Sequence, residues 1–79
     1  MTAAVEVQET RIFATAQGAD WWITYLGMAQ KVGRVETVTQ TPQGGVHLVA
    51  CDDRDHATWL RDHMIAQGVP VAAVKVVAS

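Results

Sequence analysis

The stretch RVETVTQTPQGGVHLVAC, residues 34–51, constrains the fold more than any other part of this chain. Residues 34–41 are rich in β-branched side chains and alternate in polarity, and residues 46–51 form a second, mostly apolar run. Both patterns are typical of β-strands. Residues 42–45 supply a proline and two glycines, which are residue types that turns favour. The sequence therefore predicts a β-hairpin over residues 34–51.

The first strand is predicted over RIFATA, residues 11–16. Ile12, Ala14 and Ala16 share one face when this stretch is extended. The segment VEVQ just before it extends the strand only with a bulge or a break, because the apolar phase shifts between Val7 and Ile12. Residues 1–10 are therefore expected to be extended or partly ordered.

Two helices are predicted, each between residues that favour helix ends. The first covers WWITYLGMAQKV, residues 21–32, after a turn at 17–20, and the second covers about residues 54–67. The candidate caps are Asp20 and Gly33 for the first helix, and Asp52 or Asp53 with Gly68 for the second.

A last strand is predicted over VPVAAVKVVA, residues 69–78, with Pro70 at its start, where proline is tolerated. The resulting order, β-α-β-β-α-β, predicts one α+β domain over residues 1–79. It resembles the ferredoxin-like sandwich, which has a four-stranded antiparallel sheet with two helices on one face. This fold hosts many unrelated activities, so it assigns none by itself.

The stretch DDRDHATWLRDHM, residues 52–64, holds four of the five aspartates and two of the three histidines. His56 and His63 are seven residues apart, which places them about 10 Å apart along a helix, too far to share one zinc ion. No nucleophile accompanies them. We interpret the aspartates as helix-capping residues and the histidines as boundary residues, and we predict no metal, cofactor or catalytic residue.

Apolar residues of the first predicted helix spread over about twice the arc that a sheet covers. The last strand is apolar on both faces, and a chain with a single cysteine has no internal disulfide. These features predict self-association, in the simplest case as a two-fold dimer. The predicted partner-binding residues are Trp21, Trp22, Tyr25 and Trp59. Trp21 and Trp22 point about 100° apart on a helix, so one is expected to face inwards and the other outwards.

Charge and composition narrow the class of partner. The net charge is −2 and the six basic residues are scattered, which disfavours nucleic acid. No segment resembles a secretory signal or a membrane-spanning helix, so we expect a cytoplasmic protein without a membrane partner.

Three functional hypotheses follow. The first is a non-enzymatic interaction module that binds itself or a protein partner through apolar helix or sheet surface. The second is a small-ligand sensor, because the glycine in AQGAD, residues 16–20, resembles the glycine-bearing turn of ACT-like domains. The third is a small dimeric enzyme that uses His47 or a histidine of the second helix in a pocket closed by tryptophans. A flat apolar patch would favour the first hypothesis, and a pocket of about 300 Å³ or more with converging polar groups would favour the others.

Overall fold

The computed structural model describes residues 2–78 and shows an α+β fold with one four-stranded antiparallel sheet. The strand order is β2-β3-β1-β4, which is the ferredoxin-like arrangement, so the predicted fold class is confirmed. The elements along the chain are β1 Ala3–Gln8, α1 Glu9–Ile12, α2 Ala16–Lys31, β2 Val35–Thr41, β3 Gly44–Cys51, α3 Arg54–Ala66 and β4 Val74–Ala78.

The core lies between one face of the sheet and the two long helices. Val5, at the centre of β1, pairs with Val49 on one side and Val76 on the other, and Val5 and Val49 are fully buried. Trp22 from α2 and Met64 from α3 cover this face and are themselves fully buried. Burying large apolar side chains in this way is the main favourable term in folding.

The predicted position of the first strand is wrong. The strand is Ala3–Gln8, within the segment expected to be extended or partly ordered, and residues 11–16 are not a strand. Glu9 and Ile12 are both buried, and residues three apart share one face of a helix, so the short α1 turns both towards the core. Ala14 and Ala16 are exposed, so the alternation with Ile12 does not mark a buried strand face. Residue 1 lies outside the described residues.

The start of the first long helix also differs from the prediction. Helix α2 begins at Ala16, with Thr15 at its N-cap position, rather than after Asp20. Gly18 lies buried in the first turn, where a Cβ atom would come within 2.8 Å of the Gly68 carbonyl oxygen. The glycine therefore allows α2 to approach the turn that follows α3, and does not form a turn of its own. This removes the sequence basis for the resemblance to ACT-like domains.

The hairpin, the end of α2 and the start of α3 follow the predictions closely. The hairpin of β2 and β3 is confirmed, although Gly44 and Gly45 belong to β3, so the turn is shorter than expected. Asp53 caps α3, and its side chain accepts a hydrogen bond of 2.8 Å from the backbone N–H of His56. Gly33, with a φ of 72°, follows the end of α2 in the left-handed conformation that favours glycine.

The last predicted strand is shorter than expected. Residues 71–73 form a turn of 3₁₀ helix, and β4 comprises only Val74–Ala78. Pro70 directly precedes this turn. Its φ of −60° lies at the value that the proline ring imposes. No helix within residues 2–78 is long and apolar enough to cross a membrane.

Candidate functional site

A cleft of about 490 Å³ lies between α2 and α3. Each helix lines it with a stripe of four side chains, and the residue just before β2 contributes a ninth. The lining residues are Trp21, Thr24, Tyr25 and Met28 of α2, His56, Trp59, Leu60 and His63 of α3, and Arg34.

The two stripes have the same spacing. Positions 21, 24, 25 and 28 and positions 56, 59, 60 and 63 both follow the i, i+3, i+4, i+7 pattern that places side chains on one face of a helix. Because both helices lie on the same sheet, these faces turn towards each other. The cleft therefore follows from the helical repeat together with the placement of α2 beside α3.

Aromatic rings form a connected series across the cleft. Trp21 stacks on Tyr25 with ring centroids 4.9 Å apart, and Trp59 stacks on His63 with centroids 5.2 Å apart. An edge-to-face contact of 5.9 Å between Trp21 and His63 joins the two pairs and so links the helices. Ring pairs at such distances contribute about 0.5–1.5 kcal/mol each beyond the burial of their surface. The rings are therefore held in place before anything binds.

Trp59 differs from the other aromatic rings because it is 61% exposed. One of its neighbours, His63, stacks on it at an interplanar angle of 8°, so the indole has a fixed orientation despite its exposure. An exposed, oriented indole presents apolar surface that a planar ligand can cover.

Arg34 supplies the formal positive charge of the cleft. Its backbone is fixed on both sides, because its N–H donates to Ala29 and its carbonyl accepts from Ala50. No ion pair involves its side chain within residues 2–78. None of the nine lining residues is an aspartate or a glutamate. Among the nine lining residues Arg34 is the only arginine or lysine, while the Asp52 carboxylate lies 3.9 Å from Nδ1 of the lining His56.

The Tyr25 hydroxyl and the imidazole of His56 are further polar groups of the cleft. Burial raises the pKa of the Tyr25 hydroxyl, with Cys51 adding to this effect and Arg34 opposing it. His56 accepts a hydrogen bond of 3.2 Å at Nδ1 from the backbone N–H of Asp52. In the neutral imidazole the proton then resides on Nε2. The Tyr25 O–H and the His56 Nε2–H can therefore both donate to a ligand.

A second polar cluster is buried on the core side of α2. The carboxylate of Glu9 accepts hydrogen bonds of 2.8 Å from Trp22 Nε1 and 2.6 Å from the Gly45 N–H. His47 Nε2 lies 3.0 Å from Glu9 Oε1, although not in the direction of a good hydrogen bond, and its Nδ1 lies 2.9 Å from Thr37 Oγ1. Glu9 and His47 are only 7% and 2% exposed. This cluster is closed to ligands and organises the core.

The buried cluster of Glu9 and His47 is connected to the cleft through the ring of Trp22. Trp22 lies 5.7 Å from the ring of His47 in the core and 6.1 Å from the ring of Tyr25, which lines the cleft. The position of the cleft rings therefore depends on the packing of Trp22.

Cys51 is buried and does not line the cleft. Burial raises the pKa of its thiol, with Asp52 and Asp53 adding to this and Arg34 opposing it. A thiol with a raised pKa is a poor nucleophile. Within residues 2–78, no three histidine, cysteine or acidic side chains come together as a group that could hold a metal ion.

Three of the four predicted partner-binding residues, Trp21, Tyr25 and Trp59, line the same cleft. The fourth, Trp22, is fully buried and cannot reach a partner in this structure. Trp22 is thus the inward-facing one of the paired tryptophans, whereas Trp21 is half-buried and packs against the edge of the core. His47, suggested for the enzyme hypothesis, lies in the core and not in the cleft.

Sequence reasoning missed Arg34 and Met28, and it placed a histidine of α3 in a tryptophan-lined pocket only under the enzyme hypothesis. The histidines were interpreted as boundary residues, and Arg34 as one of several scattered cations. The repeated i, i+3, i+4, i+7 stripes were a usable signal, because they place histidine and tryptophan on one face of α3.

Comparison with known proteins identifies no relative of this chain. No protein-family model matches the chain, and no match is found among curated proteins or among solved structures.

Proposed function

We propose that this chain is a non-enzymatic binding domain whose cleft between α2 and α3 takes a small organic ligand with a planar ring. The observation that carries this proposal is the connected series of rings that lines a cleft of about 490 Å³. Clefts of about 300–1,000 Å³ with mostly apolar linings and a few polar groups are typical of small-molecule sites.

The shape of this surface favours a small ligand over a flat protein interface. The aromatic residues predicted to contact a partner do not form a flat patch, since Trp21 and Tyr25 face α3 across a concave surface. The polar residues Arg34, His56 and Tyr25 line this same cleft. A protein partner of this chain would have to insert a side chain into the cleft.

The lining residues favour binding over catalysis. A general base usually needs a second group to orient it, most often a carboxylate, and a covalent mechanism needs an activated nucleophile. The lining itself has neither a carboxylate nor a thiol, and the nearby carboxylate of Asp52 lies 3.9 Å from His56 Nδ1, too far for a hydrogen bond. The Nδ1 atom of His56 is occupied by the backbone of Asp52. These features support a binding role for the histidines.

Indole is a suitable probe for this proposal, because it has a planar ring and no charge. We expect a titration of the ¹⁵N-labelled chain with indole to shift amide resonances of the residues that line the cleft. Replacing Trp59 with alanine is expected to weaken binding by up to about 10-fold, the upper end of what one ring contact contributes. The measurement is the dissociation constant from the NMR titration.

The matched control is Phe13→Ala, because Phe13 is also an exposed aromatic residue, at 44%, but does not line the cleft. This variant is expected to bind indole as the unaltered chain does. Equal weakening in both variants, or shifts spread over the whole surface, would show that indole adheres without a site and would contradict the proposal.

We also propose that the chain forms a two-fold dimer through the outer face of the sheet. The register places Leu48 opposite Glu6 and Val77 opposite Ala4 on the face that points away from the core. Lys75 and Glu6 lie on the same face with their charged atoms 3.9 Å apart. A two-fold axis brings each patch against its own copy, so Lys75 of one chain can face Glu6 of the other.

Sedimentation equilibrium tests the dimer. We expect twice the chain mass of 8.6 kDa at micromolar concentrations. Replacing Leu48 with glutamate is expected to give the single-chain mass, because it places a charge in the apolar interface. Val71→Glu is the control, since Val71 is 67% exposed and lies outside this face. A single-chain mass for the unaltered protein would refute the dimer.

A further inference from the structure

The charge distribution around the cleft is one-sided. Four of the five aspartates lie between positions 52 and 62, at the start of α3 or along it. Asp55 and Asp62 are seven residues apart and share a face of α3. Asp55 directly precedes His56 and Asp62 directly precedes His63, and both histidines line the cleft. One position corresponds to about 100° on a helix. Asp55 and Asp62 therefore face away from the cleft, whereas the Asp52 carboxylate lies 3.9 Å from Nδ1 of the cleft-lining His56.

Arg34 is available to a ligand. Two of the other cations have side-chain partners, since Arg61 contacts Asp62 at 2.8 Å and Arg11 donates to Gln8 at 3.0 Å. Neither Lys31 nor Arg54 lines the cleft. The guanidinium of Arg34 makes no ion pair within the described part of the chain. Arg34 and Tyr25 both line the cleft, so both can contact one ligand.

We propose that the ligand of the cleft is an aromatic carboxylate, with its ring against Trp59 and Trp21 and its carboxylate on Arg34. This inference rests on the proposed binding function. A planar guanidinium matches a carboxylate with two parallel hydrogen bonds, and such charge-assisted bonds are about twice as strong as neutral ones. The Tyr25 O–H is a further donor for the same group. A cationic ligand would meet Arg34 without any carboxylate in the lining to compensate.

Three probes with the same ring separate charge from ring binding. They are indole-3-acetate, indole-3-acetamide and tryptamine, which carry a negative charge, no charge and a positive charge at neutral pH. We expect the full chain to bind indole-3-acetate about 10-fold more tightly than indole-3-acetamide, and tryptamine most weakly. The dissociation constants come from ¹⁵N NMR titrations in buffer of low salt concentration.

Arg34→Gln is expected to reduce the preference for indole-3-acetate over indole-3-acetamide to less than about 2-fold, and Arg34→Lys to retain part of it, because lysine keeps the charge but not the paired geometry. Arg11→Gln is the control, since Arg11 is exposed on α1 and lies outside the cleft. This variant is expected to keep the full preference.

Salt gives a second readout that needs no variant. Raising the salt concentration to about 1 M shortens the screening length to about 3 Å, so binding of indole-3-acetate is expected to weaken while that of indole-3-acetamide stays constant. Binding of all three probes in the cleft with equal affinity would overturn the carboxylate assignment and leave the binding function intact. Absence of binding by every probe, indole included, would overturn both. A preference that survives in Arg34→Gln would also overturn the assignment to Arg34.

Discussion

Replacing Trp22 with alanine is expected to lower the free energy of unfolding by about 3–5 kcal/mol, the usual cost of truncating a fully buried aromatic side chain. The indole is 0% exposed, and its Nε1 is the donor to Glu9 at 2.8 Å. The variant therefore creates a cavity and also leaves a buried carboxylate with one donor fewer. Since small domains are stable by only about 5–15 kcal/mol, this loss is a large fraction of the total. Urea denaturation followed by circular dichroism measures it.

Trp59→Ala is the matched control for this loss, because it removes the same side chain from a position that is 61% exposed. It is expected to cost much less than the change at Trp22. Trp22→Phe separates the two contributions at the buried site, since it keeps most of the ring but removes the donor to Glu9. A loss at Trp22 no greater than that at Trp59 would contradict the assigned core.

Replacing Glu9 with alanine is expected to destabilise the fold at pH 7 by about 1–3 kcal/mol for each of the two buried donors, Trp22 Nε1 and the Gly45 N–H, that lose their acceptor. The change leaves Trp22 Nε1, the Gly45 N–H and His47 Nε2 facing an empty space. Asp62→Ala is the control, because Asp62 is exposed on α3 and its carboxylate contacts Arg61 at 2.8 Å. Surface pairs of this kind contribute about 0–1 kcal/mol.

The contribution of Glu9 is expected to depend on pH. Burial alone would raise the pKa of its carboxyl, but the contacts from Trp22, His47 and the Gly45 N–H outweigh burial and hold the pKa below its usual value of 4.5. The unfolded chain therefore binds a proton at Glu9 more readily than the folded chain does. The stabilisation is complete well above pH 4.5 and is lost as the pH falls through the lower, folded value.

Urea denaturation at a series of pH values tests this dependence. The difference in stability between the unaltered chain and Glu9→Ala is expected to shrink as the pH falls below about 4.5. A difference that stays constant down to pH 2, or one that grows on acidification, would show that the carboxylate of Glu9 is not the stabilising form.

The predictable part of the fold was the part marked by turn and capping residues. Pro42, Gly44 and Gly45 delimit the hairpin, and Asp53 and Gly68 delimit α3, because each acts through its own backbone preference. Such signals depend on the residue itself, so they can be interpreted without knowing which parts of the chain contact it in the folded structure. The same reasoning identified the sandwich topology despite the misplaced first strand.

The structural predictions were wrong where the role of a residue depends on contacts with residues far away in the sequence. Gly18 was interpreted as a turn glycine, but it is helical and gives space to the carbonyl of Gly68, fifty residues further along the chain. Glu9 likewise has its partners at Trp22, Gly45 and His47, and nothing in the surrounding segment indicates them. Tertiary contacts of this kind override local preference and leave no local pattern.

The candidate site was predicted in its residue types but not in its shape. Trp21, Tyr25 and Trp59 were identified because large aromatic side chains on a helix surface are unusual and favour binding. Their assembly into a cleft depends on the position of α2 relative to α3, which hydrophobic periodicity does not determine. Arg34 became significant only when the structure placed its unpaired charge beside the rings.

The position of β1 in the sheet has a consequence for the order of folding. The hairpin of β2 and β3 joins neighbours in the chain, so it can form early and locally. β1 instead pairs with β3 and with β4, and the register joins Ala3 to Ala78 at the two ends of the described chain. Contacts between residues so far apart close slowly, because the entropy of the intervening chain is lost first. During synthesis, the central strand therefore waits with one edge unpaired until residues 74–78 have left the ribosome.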